Sequence, residues 1–118
     1  MTTGLGVISI LDPERCWREW IRLGSLHKVQ NKFEDEGLRN PRTLRVPTIS
    51  AIEKAAYRWA LENLEEAKKD LEYAWNQIGE VLTEERWQEF LVDKAKLAYF
   101  VQPKKIERFL EQHQLEYA

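Results

Sequence analysis

Residues 25–58, SLHKVQNKFEDEGLRNPRTLRVPTISAIEKAAYR, decide how this chain folds, because two helix signatures flank a stretch that a helix should not cross. Ser25 is placed to accept a hydrogen bond from a free backbone N–H of the helix it opens, and Leu26, Val29 and Phe33 follow at helical spacing. Gly37 ends that helix, since glycine takes the left-handed conformation a helix C-terminus asks for. Next comes LRNPRTLRVPT, in which Pro41 and Pro47 bias Asn40 and Val46 toward extended geometry. A second helix opens at Thr48 or Ser50, where Ser50 and Glu53 form a capping-box pattern. Ile52, Ala55, Ala56 and Trp59 give it one apolar face.

At about 100° per residue, Ser50, Lys54, Tyr57 and Leu61 point away from Ile52 and Trp59, with Arg58 flanking them. Small, hydroxyl and basic side chains on the outer face of a helix that follows a tight helical partner are what a recognition helix carries into a major groove. Here the sequence resembles the helix-turn-helix domains of phage small terminase subunits and the similar segment of large serine recombinases. The resemblance rests on the serine-started SLHKV helix, Gly37, the proline- and arginine-bearing turn and the second helix, roughly a third of the chain. It implies recognition of viral DNA at the start of packaging, as a ring that recruits a large ATP-hydrolysing subunit. The expected DNA-binding residues are Lys28, Arg39, Arg42, Arg45, Thr48, Ser50, Lys54, Tyr57 and Arg58. An alternative for the loop arginines is plain solvation, and for Lys54 and Arg58 pairing with Glu62 or neighbouring acids on their own helix.

Charge is distributed unevenly. Residues 1–60 hold ten Lys/Arg and seven Asp/Glu, a net of +3, whereas residues 61–118 hold eight and thirteen, a net of −5. Phosphate contacts act over roughly a Debye length, about 8 Å at physiological salt, so local rather than global positive charge is what DNA binding needs. The basic half suits double-stranded DNA, and the acidic half suits a protein partner. A chain of 118 residues with five tryptophans makes one aromatic-cored domain with an appendage. The single Cys16 precludes an internal disulfide. No apolar run approaches the roughly 18 residues of a membrane span, and the start lacks the pattern of a signal peptide. A cytoplasmic location with no membrane partner is the expectation.

Residues 1–11, MTTGLGVISIL, read as a flexible arm whose apolar end, residues 7–11, docks on something. Asp12, Pro13 and Glu14 then supply an N-cap, an N1 proline and a first-turn acid for a helix to Leu23, with Trp17, Trp20 and Ile21 on its apolar side and Gly24 closing it. Residues 12–61 thus form a three-helix helix-turn-helix unit. Beyond Trp59 no breaker occurs until Gly79, and Leu64, Ala67, Leu71, Ala74, Ile78 and Val81 form a heptad seam. The third helix is therefore expected to run unbroken to about Leu82, on the order of 50 Å. The seam has two uses open to it, assembly into a homo-oligomer or packing within its own chain against Trp87, Phe90 and Leu97. Thr83 restarts the chain as an N-cap with a staple between Leu82 and Trp87. Phe90, Leu91, Leu97, Ala98 and Val101 face the core from the next helix, and Ile106, Phe109, Leu110, His113 and Tyr117 from a last one opened by Gln102 and Pro103.

Nothing in the pattern suggests catalysis or a cofactor. His27 and His113 are far apart, Cys16 has no nearby histidine, and no CxxC, HExxH or glycine-rich phosphate loop occurs. The acidic runs 34–36 and 65–66 lack the alternating oxygen ligands of a calcium loop. The reading is an all-α, non-enzymatic DNA-binding protein, with residues 62–118 an oligomerisation or partner-binding module. The alternatives are a dimeric transcriptional regulator and a helical adaptor with no nucleic-acid role.

Overall fold

A computed structural model describes residues 12–39 and 45–115. The expected arm (residues 1–11), Pro41, Arg42 and Tyr117 lie outside the described residues. Among the described residues the chain is all-helical: α1 (Pro13–Leu23), α2 (Leu26–Asp35), α3 (Ile49–Glu62), α4 (Leu64–Gln77), α5 (Glu84–Tyr99) and α6 (Pro103–Gln112). Two compact units divide within α3, after Ala56, so the division falls inside the helix expected to close the N-terminal unit.

In the first unit α1 packs on α2. Asp12 caps α1, its Oδ1 accepting from Glu14 N at 3.0 Å, with Pro13 behind it at N1. Ser25 stands at the N-cap of α2 in extended geometry, yet its hydroxyl makes no cap bond; only its carbonyl takes part, accepting from Val29 N at 3.0 Å. At the other end of α2 Gly37 has φ +70°, and Gly37 N–H bonds Glu34 O while Leu38 N–H bonds Phe33 O. That pair of bonds closes a helix through a left-handed residue, a position where a Cβ would be strained. Cys16, Trp17, Val29, Phe33, Ile52, Ala55 and Ala56 are this unit's buried apolar residues. Arg15 pairs with Glu36, and Lys32 with Glu19 at 3.0 Å and Glu36 at 3.6 Å. Surface pairs contribute little individually, about 0–1 kcal/mol, but Arg15–Glu36 and the half-buried Lys32–Glu19 join α1 to α2.

The expected 50 Å helix is two helices. α3 ends at Glu62 because Asn63 leaves helical geometry (φ −135°, ψ 58°) and turns its side chain back, Nδ2 donating to Trp59 O at 2.9 Å. Asparagine competes for backbone groups in this way, which is why it favours helix ends. Asn63 O then accepts from Ala67 N, starting α4. α4 in turn stops at Gln77, short of Leu82, because Gly79 (φ +78°) takes the same left-handed closure as Gly37, with Glu80 N–H on Trp75 O.

In the second unit α5 and α6 pack together. Thr83 caps α5, accepting from Arg86 N at 3.1 Å, and the staple positions Leu82 and Trp87 are both buried. α5 buries Trp87, Leu91, Ala95, Ala98 and Tyr99. Leu97 and Val101, expected inside, are instead exposed, since position 97 lies on the side of the helix opposite Ala95. Ile106, Phe109 and Leu110 of α6 are buried as their spacing suggests, while His113 is exposed, its ring tilted against that of Phe109 at 4.5 Å between centres.

Candidate nucleic-acid interface

In the part of α3 that belongs to the first unit, the exposed residue is Ser50, in the first turn. Thr48 caps the helix, Oγ1 accepting from Ala51 N at 3.1 Å, so Thr48 rather than Ser50 is the helix start and Ser50 is the second residue of the first turn, exposed. Gln30 of α2 donates from Nε2 to Pro47 O at 3.2 Å, and Pro47 is buried. This bond holds the start of α3 against α2, the helix that carries Lys28. Lys28, Arg39, Arg45, Thr48 and Ser50 are all exposed, and Lys54 is half-buried. Arg39 and Arg45 stand at the two sides of the connection between α2 and α3. Arg42, expected among the phosphate contacts, lies outside the described residues.

The remaining cations of α1 and α2 are differently engaged. Arg15, Arg18, Arg22 and Lys32 each have an acidic partner, respectively Glu36, Glu14, Glu19, and Glu19 with Glu36. Glu19 sits at the centre of this network. Burial by itself would raise its pKa, but hydrogen bonds from Arg22 and Lys32, and their charges, outweigh that and hold the carboxyl below its ordinary value.

Tyr57 and Arg58 do not belong to this surface, which corrects the expected outer face of α3. Tyr57 is only 3% exposed, packs edge-to-face on Phe90 at 6.4 Å between ring centres, and has the Lys94 ammonium over its ring at 4.7 Å. Arg58 is half-buried and donates from Nε to Ala98 O at 3.3 Å, so it pairs with a backbone carbonyl and not with Glu62. The physical reason is that α3 buries Ile52, Ala55, Ala56, Tyr57, Trp59, Ala60 and Leu61, leaving only Arg58 and Glu62 as polar side chains in its second half. A face calculation centred on Ile52 and Trp59 assumes one buried side, and this helix has more than one.

The expected oligomerisation seam also divides. Ala67 and Leu71 are buried, and Leu64 and Ala74 are half-buried. Ile78 and Val81 fall beyond the end of α4 and are 71% and 66% exposed. Their heptad spacing carries no face once Gly79 has ended the helix. Sequence reasoning missed the exposed Tyr73 and Phe100 and took Leu97 and Val101 for core. The signal available was the Gln102-Pro103 helix start, which leaves residues 100 and 101 at a corner rather than on a helix face.

Cys16 is fully buried and its thiol is pushed up to about 12, first by burial and then by Asp12, so it packs as a small hydrophobe rather than as a nucleophile. No group of His, Cys, Asp or Glu able to hold a metal ion occurs among the described residues, and no helix there is long and apolar enough to cross a membrane. No protein-family model, curated protein or solved structure matches this chain.

Proposed function

We propose that this chain binds double-stranded DNA through its first unit, in the manner of a helix-turn-helix protein, with the first turn of α3 reading base edges and Lys28, Arg39 and Arg45 contacting phosphates. The observation that carries the reading is the exposure, on the one unit with positive net charge, of all five of Lys28, Arg39, Arg45, Thr48 and Ser50. Recognition helices contact bases mainly with their N-terminal residues, and Ser50 in the N-terminal turn of α3 is exposed. The connection of residues 36–48 is longer than the three or four residues of the tightest helix-turn-helix, so its arginines extend the footprint onto the backbone rather than merely joining helices. Within this reading the resemblance to small terminase subunits favours recognition of viral DNA for packaging over transcriptional control.

The residues assigned to base reading are Ser50 and Lys54. Ser50 is the cleaner test, because it is exposed and does not cap the helix. Ser50→Ala and Lys54→Ala should reduce discrimination between a selected duplex and a scrambled one by about 1–3 kcal/mol for each base that is no longer read, while the affinity for scrambled DNA falls less. Competition anisotropy with both duplexes reads the ratio. An unchanged ratio in both variants removes the recognition role from this turn.

A further inference from the structure

The second unit carries two exposed apolar groups at opposite ends of α5, and the charges around them are of opposite sign. At the N-terminal end, Ile78 and Val81 precede the helix, and Val81 lines a concavity together with Glu80, Thr83, Glu85, Arg86 and Glu89. Arg86 is engaged within its own chain: Nη1 meets Glu80 Oε1 at 3.0 Å and Val81 O at 2.9 Å, and its guanidinium lies 4.5 Å over Trp75. Glu85 and Glu89 are exposed and make no ion pair among the described residues, so this end is apolar and negative.

At the other end of the helix, about 24 Å away at 1.5 Å per residue, Phe100 and Val101 are 56% and 58% exposed. Lys104 and Lys105 follow, both exposed, in the first turn of α6, which holds no acid. Lysines at a helix N-terminus oppose the positive end of the macrodipole and are disfavoured there. An acidic surface laid against that turn would offset both charges. This end is apolar and positive.

We infer that a second copy of this chain is the occupant: the Phe100, Val101, Lys104 and Lys105 end of one copy docks on the Val81, Glu85 and Glu89 concavity of the next. Charge complementarity brings unlike ends of two copies together. Unlike ends meet both in a head-to-tail arrangement and in a two-fold pair whose α5 helices run antiparallel, whereas contacts between like ends, acid on acid or lysine on lysine, are repulsive. The antiparallel pair uses both ends of both copies and closes as a dimer, whereas head-to-tail contacts leave one end of each kind unused and continue. The surface lies on the second unit and does not depend on DNA binding by the first. It is also distinct from Ala67 and Leu71, which are buried in their own chain.

The test uses the full chain and two charge-reversed variants, Glu85→Lys with Glu89→Lys, and Lys104→Glu with Lys105→Glu, followed by sedimentation velocity over a concentration series. The unaltered chain should self-associate as concentration rises, and the association should weaken with added salt. Each variant alone, with two ends of the same sign, should sediment as a monomer while keeping its helical circular dichroism. An equimolar mixture of the two restores opposite ends and should associate again. Recovery in the mixture excludes misfolding as the reason the single variants fail to associate. A monomeric unaltered chain at every concentration, variants that associate as strongly as the parent, or a mixture that stays monomeric would each overturn the inference.

Discussion

Leu71→Ala and Ile78→Ala remove comparable apolar groups from two positions that share a heptad register, yet the structure assigns them opposite consequences. Leu71 is 7% exposed and packed within its own chain, whereas Ile78 is 71% exposed just past the end of α4. Truncating Leu71 withdraws three buried carbons, about 2.4 kcal/mol at roughly 0.8 kcal/mol per buried methylene. The cavity left behind adds to this, within the range of about 2–5 kcal/mol seen for such changes. Taking about 3 kcal/mol, and about 4–8 °C per kcal/mol for a unit of this size, the second unit should melt about 12–24 °C lower. Ile78→Ala should stay within about 0.5 kcal/mol, as surface substitutions do. Circular dichroism melts and urea titrations at low protein concentration measure both, in conditions where any association is minimal. Equal destabilisation by the two changes, or a larger effect from Ile78, would refute the division of the seam between a buried and an exposed half.

Two further outcomes follow from the same geometry. Tyr57→Ala empties a buried ring site against Phe90 and should cost about 3–5 kcal/mol in urea unfolding, while leaving the ratio of affinities for selected and scrambled duplex unchanged in the folded protein; a changed ratio at unchanged stability would return Tyr57 to the DNA surface. Glu19, whose folded pKa is held below the ordinary 4.5, stabilises the first unit fully above that value and loses the contribution as pH falls through the depressed folded pKa. Glu19→Gln should therefore be less stable than the parent at neutral pH, with the two melting curves converging in acid; a gap that is constant with pH would mean the Arg22 and Lys32 contacts contribute nothing.

What the sequence disclosed, and what it withheld, follows from the range of the interactions involved. Signals acting within one turn read correctly: Asp12 with Pro13, Gly24, Gly37 and Thr83 end or start helices where their backbone chemistry says they should. The break at Asn63 was harder to see, because asparagine is tolerated inside helices and only its bond to Trp59 O marks the end. Facing was the weakest point. Periodicity gives one apolar side, but α3 is buried on several, so Tyr57 looked accessible when packing against Phe90 buries it, and Arg58 looked free to face outward when it is half-buried and bonded to Ala98 O. Likewise Ile78 and Val81 kept heptad spacing in the sequence after Gly79 had removed the helix that gives such spacing a meaning.

The most direct test of DNA binding by the first unit is the salt dependence of affinity for a single duplex, measured for the full chain and for the Lys28→Ala, Arg39→Ala, Arg45→Ala triple variant. All three residues are exposed and none caps a helix, so the variant should remain folded. Each phosphate contact contributes a slope of about −0.9 in a plot of log affinity against log salt. The slope should therefore become shallower by about 2.7, with affinity falling for every duplex sequence alike. An unchanged slope and affinity in the triple variant, or no measurable binding by the parent even at low salt, would contradict the account.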